Sequence, residues 1–376
     1  MTRDRAPSDS LTDPFADLFD TIEALVMCHS PSGDEGEVDR YLAARLKALG
    51  VAPVQDGAGN VIVKLAAADR STEDGVTDPS PRAVAITAHK DEIGAYVKSL
   101  NTDGRVFLRR LGGAFPWVYG EGPVDLLGDR GTVTGILSFG SRHVSHESPQ
   151  KAQQDTKPLT WEDAWVDTFR SPEELMALGL RPGSRAVVGK HRKAPLRLGD
   201  RIASYTLDNK ASIAILLGVI AQNPRPAVDT YLVFSAKEEV GALGAMHFCQ
   251  RQRLDALVAL EICPIAPEYP VMDGPIPVLL SKDGYGLYDD ALNRSLQTAA
   301  DRADVPLQMA AIDGFGSDAT IAMKFGCIPR GACLSFPTHN THGYEIAHLG
   351  AIAACIPILC QWIEREAGQW RDRQPL

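Results

Sequence analysis

Residues that could bind a metal ion follow four separate apolar segments of this chain. The segments are VAITA, YLVFSA, ALVAL and CLSFP, and each precedes carboxylate or imidazole side chains. The side chains concerned are, in chain order, His89, Asp91, Glu92, Glu238, Glu239, Glu261, His339 and His342. Short apolar runs of this kind predict buried strands, and in open α/β sheets ligands bind beyond the carboxyl ends of the strands. We therefore expect these side chains to meet in one cleft.

The chemistry of these side chains favours a hydrolytic metal site. Asp208, at the start of a predicted helix, adds one more carboxylate to the set. Imidazole and carboxylate ligands without thiolates suit Zn, Co or Mn, and one carboxylate can bridge two ions about 3.5–4 Å apart. In an adjacent pair such as Glu238-Glu239, one carboxylate can bind metal while its neighbour acts as a general base. The residues predict a dinuclear centre.

The motifs that contain these residues resemble those of the M42-type metallo-aminopeptidases, the glutamyl and deblocking aminopeptidase group. In the order typical of that family they are AHKDEIG (88–94), LDNKAS (207–212), KEEVGALGA (237–245), SDA (317–319) and FPTHNTHGYE (336–345). The resemblance begins at SPSGDEGEV (30–38), continues to the last predicted helix, and includes a β-rich insertion between His89 and Asp208. It therefore covers nearly the whole chain.

The resemblance implies that five side chains bind two divalent ions, with zinc as the expected metal and cobalt or manganese as alternatives. His89 and Glu261 would hold one ion, Glu239 and His342 the other, and Asp208 would bridge them. The resemblance also implies a homo-oligomer, often a dodecamer in this family, and a cis peptide bond after the bridging aspartate.

Two further residues receive roles from the same resemblance. Glu238 matches the family's general base, and Asp91 matches the carboxylate that orients the metal-binding His89. Such a carboxylate fixes the tautomer of the histidine and raises its basicity. The expected reaction is hydrolysis of an N-terminal peptide bond, or a related amide bond, by a water that bridges the two metals and gives its proton to Glu238.

Two positions depart from the usual family pattern. Glu261 stands where most members have aspartate, and THGYEIAH replaces the usual histidine followed by Ser-Pro and then glutamate. The second variant resembles a smaller branch associated with genes that make the osmoprotectant N-acetylglutaminylglutamine amide. The substrate is therefore expected to be a peptide or a small amide, and general peptide trimming is less favoured.

Three alternatives remain open at this level. An M20-type carboxypeptidase or deacylase has similar ligands, but its extra domain usually follows the glutamate pair, whereas here the insertion precedes Asp208. A metal-independent glycosidase could use Glu238 or Glu239 with a second carboxylate. A non-catalytic metal-binding protein would have no use for a base at Glu238. An acyl-enzyme mechanism is disfavoured because the chain has no GxSxG motif.

Composition places broad limits on these functions. The chain has 376 residues and a net charge of −10, which disfavours nonspecific binding to nucleic acids or to anionic membranes. The segment MTRDRAPSDSLTDP lacks the apolar core of a signal peptide, and the longest apolar stretches are too short to span a bilayer. We expect a cytoplasmic protein with no membrane or nucleic-acid partner.

The elements that must position the candidate site follow from hydrophobic periodicity. Apolar spacing predicts helices at 16–28 and 35–49 and strands at 60–65 and 83–88. From 208 onward it predicts alternating elements, namely helices at 208–222, 242–251, 287–303, 317–325 and near 346–366, and strands at 230–236, 256–262 and 327–335. Between 92 and 202 the pattern is instead one of short strands separated by Gly, Pro and Asp. The predicted fold is α/β, with a mixed sheet flanked by helices as in dinuclear zinc peptidases, and an inserted β-barrel-like domain.

This pattern divides the chain into two predicted domains. Residues 1–91 and 203–376 would form a discontinuous catalytic domain, and residues 92–202 would form the insertion. Loops are expected at 67–82 and at 141–160, the latter as a mobile loop or lid. The basic run at 190–193, KHRK, is expected to be a solvated hairpin.

Overall fold

A computed structural model of the chain describes residues 13–67, 83–147, 151 and 156–368. The two loops predicted at 67–82 and 141–160 lie partly outside these residues. Within the described part of the chain, no helix is both long enough and apolar enough to cross a bilayer.

The helices of the described residues are numbered in chain order. They are α1 (Ala16–Val26), α2 (Gly36–Ala48), α3 (Pro116–Tyr119), α4 (Pro172–Ala177), α5 (Lys190–Lys193), α6 (Leu207–Gln222), α7 (Leu243–Arg251), α8 (Asp290–Arg302), α9 (Asp318–Lys324) and α10 (Leu349–Gln361), which continues into a π-helical turn (Trp362–Glu366).

The strands are numbered in the same way. They are β1 (Val54–Gln55), β2 (Val61–Leu65), β3 (Ala83–His89), β4 (Gly94–Leu100), β5 (Val106–Leu111), β6 (Gly122–Gly128), β7 (Gly131–Ser138), β8 (Trp165–Asp167), β9 (Arg185–Val188), β10 (Leu196–Leu198), β11 (Arg201–Tyr205), β12 (Asp229–Ser235), β13 (Leu254–Pro264), β14 (Val278–Lys282), β15 (Gln308–Ala311), β16 (Gly331–His339) and β17 (Tyr344–His348).

Eleven of these strands form one mixed sheet in the order β1-β2-β12-β3-β13-β16-β17-β11-β10, with β14 and β15 attached beside β16. The four central strands β12, β3, β13 and β16 are parallel. They are buried along most of their length, which explains why they are continuous apolar runs rather than alternating ones. Ser235 pairs with His89 and Glu261 pairs with Ser335, so the carboxyl ends of the four strands lie together.

Helices cover both faces of this sheet. Residues of α1, α2, α6, α8 and α10 form one apolar cluster with the sheet, and residues of α7 and α9 contribute to a second cluster. Helix α6 is buried on nearly all sides, as expected from a helix that is apolar around its whole circumference. The predicted α/β fold with a mixed sheet is confirmed.

The inserted segment contains a separate closed barrel. Its strand order is β4-β5-β8-β7-β6-β9, and its interior is an apolar cluster of its own. The predicted barrel-like insertion is therefore present. The domain boundaries stay a prediction, although β10 and the start of β11, which fall within the predicted insertion, pair with the large sheet rather than with the barrel.

Two local predictions differ from the structure. The run at 190–193 is the short helix α5 rather than a solvated hairpin, because Lys193 is fully buried and its Nζ lies 2.6 Å from a carboxylate oxygen of Glu92. The predicted last helix includes 346–348, but these residues belong to β17. The helix begins at Leu349, where Nδ1 of His348 accepts a 2.9 Å hydrogen bond from the backbone of Gly350.

Candidate metal centre

The predicted metal-binding side chains meet at the carboxyl ends of the parallel strands. His89 is the last residue of β3, and Glu261 lies within β13. Glu238 and Glu239 follow the end of β12, and His342 lies in the turn between β16 and β17. Asp208 reaches the same place from the first turn of α6. The fold thus brings together residues that are up to 253 positions apart, counted from His89 to His342 (342 − 89).

The side chains form two groups that share Asp208. His89, Asp208 and Glu261 make one group, and Asp208, Glu239 and His342 make the other, with the potential ligand atoms of each group within 4.8 Å of one another. One oxygen of Asp208 lies 3.0 Å from Nε2 of His89, and the other lies 3.5 Å from Nε2 of His342. This is the arrangement expected of a carboxylate that bridges two ions.

The backbone at the start of α6 directs Asp208 into the cleft. The peptide bond between Asp208 and Asn209 is cis, as the family resemblance predicts, and both residues depart from helical φ and ψ angles. The side-chain amide of Asn209 donates a 2.7 Å hydrogen bond to the carbonyl of Leu260, the residue before Glu261. The start of α6 is therefore hydrogen bonded to the strand that carries another predicted ligand.

Asp91 connects three of the predicted site residues. One carboxylate oxygen lies 3.5 Å from Nδ1 of His89 and accepts a 2.9 Å hydrogen bond from the backbone of Glu238. The other oxygen accepts hydrogen bonds from the backbone of Glu239, at 3.2 Å, and from the hydroxyl of Ser32, at 2.6 Å. Asp91 is fully buried, and its carboxylate therefore lies between the ring of His89 and the backbone of the glutamate pair.

Several carboxyl groups are crowded into this buried volume, which raises most of their pKa values. Burial raises the pKa of Glu261 to about 8, and the charges of Asp208 and Asp318 act in the same direction. Burial and neighbouring carboxylates also raise the pKa values of Glu238 and Glu239 well above the usual range. A cation would reverse this effect because it favours the charged carboxylates. The crowding and the thiolate-free donor set both fit a pair of divalent ions.

We expect the metal-free protein to lose stability as the pH rises from about 4.5 through about 8. The pKa of Glu261 is raised from 4.5 to about 8, so the stability contributed by its protonated form is complete below about pH 4.5 and is lost as the pH rises through about 8. Thermal unfolding of chelator-treated protein between about pH 6 and about pH 9 measures the effect.

The metal-loaded protein provides the comparison. Because the ligands bind metal in their deprotonated forms, its melting temperature should fall less over the same pH range. The gap between loaded and metal-free melting temperatures should therefore widen with pH. A melting temperature of the metal-free protein that rises over this range would contradict the expectation.

Glu345 is a buried residue that sequence patterns alone did not single out. Its Oε1 accepts a 3.0 Å hydrogen bond from the backbone of His342, and its Oε2 accepts one of 2.9 Å from the backbone of Asp208. One carboxylate thus connects the backbones of two predicted ligands. The sequence feature that could have identified Glu345 is its position in the motif FPTHNTHGYE, three residues after His342.

A glycine pair from the barrel also contacts the centre. Gly112 and Gly113 follow β5, and a Cβ atom on Gly113 would lie 2.4 Å from Nδ1 of His342. A Cβ on Gly112, whose φ is +67°, would lie 3.1 Å from the carbonyl oxygen of Glu239. The barrel therefore forms part of the wall around the second ligand group, and only glycine at position 113 leaves room for the imidazole.

Substitution of Gly113 by alanine is expected to displace His342 and weaken one of two metal sites. The added methyl group cannot fit without moving the imidazole, whereas the backbone of Gly113 has no positive φ that would oppose alanine. A loss of one coordinating group should lower metal affinity by about 10–100-fold, as disturbance of a ligand's orientation does elsewhere. Metal titration with a competing chelator measures this change.

Gly286→Ala is the matched control, because a Cβ at that position has no neighbour within 4 Å and the residue has no positive φ. It should leave both metal affinities unchanged. Two unchanged affinities in Gly113→Ala would show that His342 does not depend on this contact.

The centre lies at the bottom of an open cleft of about 680 Å³. One wall is formed by α3 and the residues before it, including Phe115 and Trp117. The opposite wall includes Tyr269, Tyr285 and Phe315. The volume is that of a typical small-ligand site, so a substrate in the cleft would contact both walls and the candidate centre at once.

Comparison with known proteins identifies chains that are similar to this one. A model of the M42 glutamyl aminopeptidase family matches residues 72–358. The glutamyl aminopeptidase of Lactococcus lactis subsp. cremoris is 26% identical over 259 residues, which cover 67% of this chain and 68% of that protein.

Solved structures show the same fold. Aminopeptidase APDkam598 from the archaeon Desulfurococcus kamchatkensis has a TM-score of 0.80 and 23% identity, covering 94% of this chain and 96% of that one. The TET1 peptidase of Pyrococcus horikoshii, which can assemble into a tetrahedron or a large octahedral shell, has a TM-score of 0.80 and 21% identity, covering 93% and 99% of the two chains.

Proposed function

Because the chain belongs to the M42 glutamyl aminopeptidase family and is a peptide hydrolase, we propose that it removes N-terminal residues from peptides, or cleaves a related amide bond, with two metal ions. The observation that carries the proposal is the pair of ligand groups that share Asp208. Membership of the family supports metal-dependent peptide hydrolysis, and the geometry supports the assignment of residues to roles.

We assign the proposed ligands to the two ions according to the two ligand groups that share Asp208. His89 and Glu261 would hold one ion, Glu239 and His342 would hold the other, and Asp208, which both groups share, would contribute to both sites. Zinc is the proposed metal, with cobalt or manganese as alternatives, since all three bind imidazole and carboxylate. Two divalent ions bound by these residues would supply Lewis acidity to the scissile carbonyl and would lower the pKa of a water molecule.

Glu238 is proposed as the general base. Its Oε2 lies 4.0 Å from Nε2 of His89, and the residue lines the cleft. Its backbone is held by Asp91, so the carboxylate is positioned without being a member of either ligand group. As the base, its carboxylate would accept a proton from the attacking water and then transfer it to the leaving amine.

A screen of substrates with controlled metal content tests the proposal. The purified protein is treated with a chelator, reconstituted with Zn, Co or Mn, and assayed on aminoacyl amides, on N-terminally blocked dipeptides and on dipeptide amides, with metal content measured alongside. We expect hydrolysis at the N-terminal side that disappears on chelation and returns with about two ions per chain.

Each alternative has its own outcome in this screen. Hydrolysis that persists after exhaustive chelation would contradict the two-metal proposal, and cleavage of an aryl glycoside by the chelated protein would favour a metal-independent glycosidase. Release of C-terminal residues or of acyl groups would favour an M20-type activity. Binding of two ions without any hydrolysis would favour a non-catalytic role.

We also propose that the chain forms a homo-oligomer. The support is the fold shared with the TET1 peptidase of Pyrococcus horikoshii, which can assemble into a tetrahedron or a large octahedral shell. Light scattering coupled to size-exclusion chromatography measures the assembly. A monomer at all accessible concentrations would contradict this proposal without affecting the catalytic one.

A further inference from the structure

Aromatic side chains line both walls of the cleft above the candidate centre. On one side, Phe115 and Trp117 are 45% and 60% exposed, and their rings stack at a centroid distance of 6.0 Å and an angle of 28°. On the other side, Tyr285 is 48% exposed, with Tyr269 and Phe315 beside it in the cleft. We refer to these five residues as the aromatic walls.

The structure around the aromatic walls holds them in place. A Cβ on Gly316 would lie 2.4 Å from two carbons of the Tyr285 ring, so the ring packs directly against the backbone there. The hydroxyl of Tyr269 accepts a 2.9 Å hydrogen bond from the backbone of Gly314. Side chains that are already ordered lose little entropy on binding a ligand, so these rings are suited to recognition.

The charges in the cleft are confined to the candidate centre and one paired carboxylate. Among the described residues that line the cleft, no lysine or arginine is present, and Asp313 is the only carboxylate outside the centre. Asp313 is already ion-paired with Lys282. Lys324 does not line the cleft, and its Nζ lies 4.7 Å from the centroid of the Tyr285 ring. Outside the centre, the described residues that line the cleft therefore offer a charged substrate side chain no cation and only one carboxylate, which already has a partner.

We propose that the cleft selects substrates whose N-terminal side chain is uncharged and apolar or aromatic, with Trp117 and Tyr285 as the specificity-determining residues. This inference rests on the proposed function. An apolar side chain gains free energy when it is buried against aromatic rings. A carboxylate or an ammonium group in the same place loses hydration without gaining a counter-charge. The family model is named for glutamyl substrates, and the cleft of this chain favours a different class.

Fluorogenic aminoacyl amides of phenylalanine, leucine, alanine, glutamate and lysine test the preference on the metal-reconstituted protein. We expect kcat/KM for phenylalanine and leucine to exceed that for glutamate and lysine by about 10–100-fold. Trp117→Ala and Tyr285→Ala should each lower the ratio of kcat/KM for phenylalanine to kcat/KM for alanine by about 10-fold. Metal content should stay at the wild-type value in both variants.

Two further variants complete the design. Phe325→Ala is the matched control, because Phe325 is 65% exposed and does not line the cleft, and it should leave every rate unchanged. Trp117→Arg introduces a cation on the wall and should raise the rate on glutamate relative to phenylalanine. The relative affinities of phenylalanine and glutamate hydroxamates, measured by calorimetry, rank the two side chains without turnover.

The outcomes separate this inference from the function on which it rests. A wild-type preference for glutamate or lysine, in rate or in hydroxamate affinity, would overturn the inference while leaving the hydrolase intact. Two results would show that Trp117 packs against another copy of the chain instead of contacting the substrate. One is an equal loss of kcat/KM on all substrates in Trp117→Ala, and the other is a changed oligomer mass with unchanged selectivity. The absence of hydrolysis of every substrate with two ions bound would contradict the proposed function itself.

Discussion

Substitution of Glu238 by glutamine is expected to lower kcat by about 10²–10⁴-fold while both metal ions remain bound. Glutamine has the same shape as glutamate but cannot accept a proton, so only the proton transfer should be lost. The backbone of Glu238 is held by Asp91, and its side chain belongs to neither ligand group, so its replacement should leave the metal ligands in place. The measurement is kcat on a preferred substrate together with metal content.

The neighbouring residue provides a sharp comparison for this prediction. Glu239 belongs to the second ligand group, so Glu239→Gln should lower metal content as well as activity. Glu268→Gln changes an exposed glutamate and should leave both unchanged. Full turnover by Glu238→Gln with two ions bound would show that another group is the base.

Substitution of Asp208 by asparagine is expected to weaken metal binding at both sites. Asp208 is the residue that both ligand groups share, with one oxygen directed toward His89 and the other toward His342. Asparagine keeps the volume but has no charge and only one oxygen, so it cannot bridge two cations. We expect metal content to fall from about two ions per chain to below one, and kcat/KM to fall by at least about 10³-fold.

Single-site variants show whether the loss follows from bridging. His89→Ala and His342→Ala each remove a ligand from one group only, so each should retain about one ion per chain. Asp301→Asn changes an exposed aspartate on α8 and serves as the control. Far-UV circular dichroism checks that each variant is folded, because Asp208 is buried at the start of α6. Two ions retained by Asp208→Asn would contradict the bridging role.

The loss of metal should also be visible in stability. Ions that bind only the folded state stabilise it in proportion to the logarithm of their concentration over their dissociation constant. The wild-type melting temperature should therefore rise with added zinc, and that of Asp208→Asn should respond weakly. The melting temperature can be measured without any catalytic activity.

Sequence patterns were sufficient for the central elements of the fold. The strands that precede His89, Glu238 and Glu261 are apolar along most of their length because they are buried on both faces of the sheet, and such runs are visible without coordinates. The weaker strands β14, β15 and β17 were not predicted. They contain few consecutive apolar residues, and their conformation depends on pairing with β16 or with each other.

Residues that act through contacts between distant segments also escaped prediction. Lys193 was assigned to solvent because charged runs usually lie at the surface, whereas its buried partner Glu92 is 101 residues away. Gly113 has no side chain that could suggest a role. It matters because a Cβ at this position would lie 2.4 Å from Nδ1 of His342. Glu345 lies close to His342 in sequence, but its hydrogen bond to Asp208 spans 137 residues.

The sequence by itself determined which residue types end each central strand, and therefore the chemistry available to the protein. It also determined the order of the motifs, because that order is a property of the chain. Tertiary structure alone decided that Asp208 lies between two histidines, that the barrel closes against His342, and that aromatic rings rather than cations form the walls of the cleft. Those features depend on distances between segments far apart in the chain, and local composition and periodicity carry no information about such distances.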